Sequence, residues 1–136
     1  GELKDELINR VKEKHLENLI QFLGYRSDIQ NTMKQFDFVV LSSLWEGLPL
    51  TPIEAFSVGK TVIGTSVDGT PEIIEDKENG LLVNAKDVRQ LSDAMNILIE
   101  DENLRKELEV NAKKCYMEEF SFDKLAKEYR DYYGRL

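Results

Sequence analysis

Four short apolar runs, each closed by a residue that favours turns, set the limits on how this chain folds. They are NLIQFLG (18–24), FDFVVLSS (36–43), TVIGTS (61–66) and LLVN (81–84). Runs of this length bounded by turn formers read as strands. Where a run is apolar on both faces, as at the centre of FDFVVLSS, the strand is one buried from both sides, which points to a parallel sheet. Between the runs the spacing turns helical. Leu3, Leu7, Ile8 and Val11 place an amphipathic helix over 2–14, and Ser27 or Asp28 caps a short helix that runs to about Gln35. A further helix spans about Pro52 to Val58 and ends at Gly59, and Thr70 caps a short one with Pro71 at its first position. Beyond Asp87 the chain is helical. Val88, Leu91, Ala94, Met95, Leu98 and Ile99 form one apolar face, and Leu104, Leu108, Ala112 and Cys115 another. A last helix starts near Phe122 and carries Leu125, Tyr129, Tyr132 and Tyr133. Strands alternating with helices give the α/β class, a parallel sheet flanked by helices, whose ligands sit at the carboxyl ends of the strands.

Several function classes are excluded by composition. The 136 residues carry a net charge of −8 with lysine and arginine scattered among the acids, so neither a nucleic acid backbone nor an anionic membrane surface finds a basic stripe. No apolar run approaches the length of a membrane span, and the charged start GELKDELINR has no signal-peptide core. One cysteine, Cys115, fits a reducing cytosol, and its helical spacing makes it a small core residue rather than a nucleophile. His15 is the single histidine, which with one cysteine argues against a zinc site.

The stretch SLWEGLPLTPIEAF (43–56) joins a strand end to a helix start, and seven residues separate its two glutamates, Glu46 and Glu54. A helix N-terminus offers unpaired N–H groups and the positive end of a dipole, so amides near Leu50, Thr51 and Ile53 suit a phosphate. Gly47 allows the backbone to come close to a ligand. Carboxylates suit sugar hydroxyls instead, so glutamates on either side of a phosphate site fit a nucleotide sugar. Each residue also has a plainer reading. Thr51 to Glu54 has the form T-x-x-E, a capping box in which Glu54 serves the helix alone. Glu46 reads as well as a solvated loop acid, and Trp45 as a packing residue more than a stacking platform.

The segment SSLWEGLPLTPIEAFSVGKTVIGTSVDGTPEIIEDKENGLLV closely resembles the C-terminal half of retaining nucleotide-sugar glycosyltransferases of the GT-B fold, the glycosyl transferases group 1 family. That family carries two glutamates with seven residues between them in E-G-[FL]-x-L-x-x-x-E-A, which Glu46, Gly47, Leu48, Leu50, Glu54 and Ala55 match. The upstream segment from Asn18 to Ser43, DGTPEII, NGLLV and the closing FSFDKLAKEYRDYY resemble it too, so the likeness covers essentially the whole chain. It implies a Rossmann-like domain with a donor-binding role. Glu54 would hold the ribose hydroxyls, and Glu46 would lie at the donor hexose and the reacting centre. Backbone amides of the intervening loop, at about Pro49 to Thr51, would hold the diphosphate, and Tyr25, Arg26 and Asp28 would lie against the base. The implied reaction is transfer of a hexose from a UDP- or GDP-linked donor to an acceptor hydroxyl of a glycan or lipid, with retention. No D-x-D triplet occurs, and neither metal nor cofactor is expected. A cytoplasmic setting is implied, with peripheral membrane attachment left open for the full-length protein.

The resemblance also implies missing parts. Gly1 aligns with the last glycine of a turn after the family domain's second strand, so residues 1–136 are expected to form a partial C-terminal domain. The acceptor-binding domain and a basic arginine–lysine pair would lie elsewhere. In the strand order 3-2-1-4-5-6, loss of the first two strands separates NLIQFLG from FDFVVLSS or forces them to pair. Apolar edges are then uncovered, and the chain alone is expected to self-associate and to transfer no sugar. Two alternatives remain: a nucleotide-binding or interaction module without catalysis, and a dinucleotide oxidoreductase domain, which lacks its G-x-G-x-x-G.

Overall fold

In the computed structural model, which describes residues 2–134, three of the four apolar runs pair into one parallel sheet. β1 (Val39–Leu41), β2 (Val62–Thr65) and β3 (Gly80–Val83) lie in the order β1-β2-β3. The register sets Val39 against Val62, and Ile63 against Leu81. Every residue of β2 is buried, as a central strand covered on both faces requires. β1 is only half-buried, with Val40 exposed, because among the described residues nothing pairs with its outer edge.

Successive side chains along a strand point to opposite faces, so the sheet feeds two apolar layers. One gathers Met33, Ala55, Phe56, Val62, Ile73, Ile74 and Ala112, under α2 (Ile29–Met33) and α3 (Leu50–Ser57). The other gathers Ile63, Leu81, Val83, Ala94, Leu98 and Leu108, under α4 (Val88–Glu100). α5 (Glu102–Cys115) serves both, giving Leu108 to the second layer and Ala112 to the first. Full burial of each large apolar side chain, such as Phe56, Ile63, Ile74 or Leu98, contributes roughly 1.5–3 kcal/mol.

Asp101 separates α4 from α5. Its backbone leaves helical geometry and its carboxylate accepts the Leu104 N–H at 2.9 Å, capping α5. α5 passes into a π-helical turn, Tyr116–Phe120, after which Ser121 takes an extended backbone and starts α6 (Phe122–Tyr133). Ser121 is buried; its hydroxyl donates to the Met117 carbonyl at 2.9 Å and accepts the Lys124 N–H at 3.3 Å. α6 buries no residue, and Phe122, Leu125, Tyr129 and Tyr132 stand exposed along it.

Several expectations need correction. NLIQFLG is not a strand: a strand exists through its ladder, and residues 18–24 have no neighbour to pair with. Leu19, Ile20, Phe22 and Leu23 are exposed instead, and the run neither pairs with β1 nor joins the sheet. α1 (Lys4–Glu13) forms close to its expected range but buries nothing; Leu7 and Val11 line a shallow groove together with Leu16, Ile20 and Phe22. On α4, Val88 and Ile99 are exposed at the margins of the apolar face, 80% and 60%. Thr70 is the first residue of a 3-10 turn, Thr70–Glu72, rather than its cap, a place taken by Gly69. Asp28 holds the N-cap position of α2 without a capping bond, since its carboxylate is engaged by Arg26. The turn glycine expected at Gly1 lies outside the described residues.

Candidate functional site

The loop from Ser42 to Pro49 leaves the carboxyl end of β1 and delivers the chain to α3. Pro49, at φ −71° and ψ 127°, is extended and holds the N-cap position, so α3 starts at Leu50. Thr51 therefore lies inside the first turn and cannot act as the cap. The T-x-x-E capping box does not form, and the Glu54 carboxylate is left half-buried with no hydrogen bond to the helix. The early start also makes Ile53 the fourth residue of the helix, one place beyond the positions whose N–H groups lack a partner within it. Of the four terminal positions whose N–H groups stay free, two are prolines, Pro49 and Pro52. That leaves the amides of Leu50 and Thr51, and neither meets an acceptor among the described residues.

Glu46 is half-buried and its carboxylate accepts the Ser43 hydroxyl at 2.5 Å. Three further bonds lace its loop to the segment that follows β2. The Thr65 hydroxyl donates to the Ser43 carbonyl at 2.6 Å, the Glu46 N–H donates to Asp68 Oδ2 at 2.8 Å, and the Gly69 N–H donates to the Gly47 carbonyl at 3.1 Å. The approach at Gly69 is so close that a Cβ there would run into the Gly47 carbonyl and sit 3.3 Å from the Leu48 Cα. Ser43, Thr65, Asp68 and Gly69 thus hold the loop that carries Glu46. Sequence spacing does not single them out. The D-G pair at 68–69 signals only a turn, and the partners lie some twenty residues apart in the chain.

The loop also exposes apolar side chains. Trp45 is 76% exposed, so it is not the packing residue expected, and Leu44, Leu48 and Leu50 are exposed beside it. Neither Glu46 nor Glu54 forms an ion pair among the described residues.

Tyr25, Arg26 and Asp28 precede α2, which packs against α3. Tyr25 is almost fully exposed. The Arg26 guanidinium donates to both carboxylate oxygens of Asp28, at 2.8 and 2.7 Å, the paired geometry that suits guanidinium and carboxylate. That hydrogen bonding holds the Asp28 carboxyl below its ordinary range and raises Arg26 above its own. No hydrogen bond or ion pair among the described residues joins 25–28 to 46–54. Away from the site, burial pushes the Cys115 thiol up, which keeps it protonated and poorly nucleophilic. Among the described residues no helix is long and apolar enough to cross a membrane.

Residues 1–115 match the family described as glycosyl transferases group 1. Among curated relatives, the chain is 33% identical over 116 residues to the UDP-Gal:alpha-D-GlcNAc-diphosphoundecaprenol alpha-1,3-galactosyltransferase of Escherichia coli, covering 85% of this chain and 29% of the relative. It is 29% identical over 127 residues to the N-acetyl-alpha-D-glucosaminyl L-malate synthase of Bacillus anthracis, covering 93% of this chain and 33% of that protein. The chain thus spans about a third of the length of these relatives. Among solved structures, Anabaena Alr3699/HepE in complex with UDP superposes with a TM-score of 0.91 at 27% identity, over 97% of this chain and 36% of that one. The C-terminal domain of a glycosyl transferase group 1 protein (LpcC) from Francisella tularensis gives 0.78 at 32% identity, over 89% and 64%.

Proposed function

The chain belongs to the glycosyl transferases group 1 family, and from that premise we propose that it is the donor-binding part of a retaining glycosyltransferase, a partial C-terminal Rossmann-like domain over residues 1–136. One observation carries the reading. Two half-buried carboxylates without cationic partners, Glu46 and Glu54, flank the unengaged amides of Leu50 and Thr51 at the positive end of α3. That layout suits hydroxyl, diphosphate, hydroxyl in series, the plan of a nucleotide-diphosphate sugar.

In this reading Glu54 accepts hydrogen bonds from the ribose hydroxyls of a UDP- or GDP-linked donor. The Leu50 and Thr51 amides meet the diphosphate, with Pro49 fixing where the helix begins and Gly47 letting the ligand approach the backbone. Glu46 lies at the transferred hexose. Tyr25, Arg26 and Asp28 lie beside the base, where the planar guanidinium stacks while Asp28 fixes its orientation. The acceptor hydroxyl, of a glycan or lipid, is held by the rest of the full-length cytoplasmic enzyme. Catalysis rests on positioning donor and acceptor and on stabilising the departing diphosphate with aligned amides and basic groups. The UDP and UDP-glucose complexes of the Anabaena structure support this choice of ligand class.

The test is calorimetry of the chain with UDP and with GDP. Glu54→Gln should weaken the preferred nucleotide by roughly 1.5–3 kcal/mol, the worth of charge-assisted hydrogen bonds. In the complete reading frame, Glu46→Ala should lower turnover while leaving nucleotide affinity in place. Equal affinity of wild type and Glu54→Gln refutes the ribose assignment, and unchanged turnover in Glu46→Ala returns that residue to the role of a loop acid.

A further inference from the structure

The least expected residue near the site is Asp68. Its backbone sits at φ 42°, in the left-handed region that L side chains avoid, so the chain accepts strain there. Its side chain is exposed and forms no ion pair among the described residues. It makes one hydrogen bond, accepting the Glu46 N–H at 2.8 Å across 22 positions of sequence. A carboxylate accepting a backbone N–H makes a strong bond, and this one ends on the residue whose own carboxylate faces the proposed sugar site.

The bond acts within a set. Ser43, whose carbonyl is held by Thr65, donates to the Glu46 carboxylate, and Gly69, next to Asp68, holds the Gly47 carbonyl. Glu46 is therefore fixed at its side chain by Ser43, at its own amide by Asp68, and at the following residue by Gly69. Asp68 supplies the single one of these clamps that comes from a side chain on the β2 loop and grips the Glu46 backbone.

We propose that Asp68 is a positioning residue for Glu46: its carboxylate fixes the Glu46 backbone so that the Glu46 side chain meets the transferred sugar in one orientation. The proposal rests on the donor-binding reading above, in which Glu46 lies at the hexose. It predicts a residue that governs turnover without touching the nucleotide, whose affinity is set by Glu54 and the α3 amides.

Two substitutions separate the hydrogen bond from the backbone conformation. Asp68→Gly keeps the left-handed geometry at no steric cost and removes the acceptor. Asp68→Asn also tolerates that geometry and keeps an acceptor oxygen. Amide hydrogen exchange at Glu46 is measured in the 136-residue chain, and kcat, donor KM and nucleoside diphosphate affinity in the complete reading frame. Asp68→Gly should speed exchange at the Glu46 amide and lower kcat, each by about tenfold, with UDP or GDP affinity unchanged. Asp68→Asn should restore most of both. Wild-type exchange at Glu46 in Asp68→Gly overturns the clamp, whatever the activity. Faster exchange with wild-type kcat overturns the positioning role. A parallel fall in nucleotide affinity and kcat overturns it as well, since that marks a brace for the whole site. Failure of the underlying reading is seen separately, as full turnover in Glu46→Ala.

Discussion

Gly69→Ala isolates a steric contact from every other effect of the substitution. Gly69 has φ −77° and ψ −2°, a conformation alanine adopts freely, so the backbone itself offers no objection. Stiffening the unfolded chain would by itself stabilise the fold by about 0.4–1 kcal/mol. The opposing term is the contact with the Glu46 loop. The new Cβ would meet the Gly47 carbonyl oxygen inside van der Waals range, with the Gly47 carbonyl carbon at 3.2 Å and the Leu48 Cα at 3.3 Å. These are backbone atoms that cannot rotate away. Forced separation costs about 1–3 kcal/mol, and loss of the Gly69 to Gly47 hydrogen bond about 0.5–1.5 kcal/mol more. The net expectation is a destabilisation of about 0.5–4 kcal/mol together with weaker nucleotide binding, because the displaced loop leads directly into Leu50 and Thr51. Urea denaturation followed by circular dichroism reads the first, and calorimetry the second. Gly59→Ala is the control. Gly59 is at φ +74° with open space around it, so alanine there costs about 1–2 kcal/mol through backbone strain alone and leaves the loop in place. A Gly69→Ala protein with the midpoint and affinity of wild type would refute the close packing of the two loops. Equal loss of affinity in Gly59→Ala would show that affinity follows global stability instead.

Two further expectations concern the body of the fold and its surface. Leu98→Ala, at a fully buried position under the sheet, should destabilise by about 2–5 kcal/mol, visible as a fall in denaturation midpoint with the slope unchanged. The chain on its own should self-associate, since Leu19, Ile20, Phe22 and Leu23 on one segment and Phe122, Leu125, Tyr129 and Tyr132 on another are exposed. Sedimentation showing one monomeric species at about 50 μM, well within the range where exposed apolar surfaces associate, would contradict this.

The three paired strands and the helices over them were legible because their apolar runs are short and punctuated by turn residues. What failed, failed for physical reasons. NLIQFLG has the composition of a strand, but a strand needs hydrogen bonds to a neighbour, and composition cannot supply one. The Thr51–Glu54 pattern imitates a capping box because both residues are present at the right spacing. Pro49, with its fixed φ and extended ψ, starts the helix two residues before Thr51's expected first turn and breaks the pattern. Val88 and Ile99 fit the helical period yet sit where α4 has no neighbour. In the candidate site Glu46, Gly47 and Glu54 stood out by local spacing. Asp68 did not, since its partner is 22 residues away and only the fold brings them together. Trp45 was misjudged because large aromatics usually fill cores, and this one projects from a loop held down on either side of it.

The short connection at Ser121 has a mechanical consequence. α6 is a rod of twelve residues, about 18 Å long, joined to the rest through one extended residue after a π-turn. Rotation at a pivot is multiplied by the length of the arm it carries. A change of about 10° in direction at Ser121 would sweep the distal end of the rod through about 3 Å, given the helix rise. Tyr129, Tyr132 and Tyr133 ride on that end, packed against one another with centroid separations of 6.2 Å and 5.5 Å. The whereabouts of a three-ring aromatic head therefore depend on a joint near the opposite end of the lever, where two hydrogen bonds to the Ser121 hydroxyl and the Lys124–Glu119 ion pair at 2.7 Å hold the rod to the π-turn.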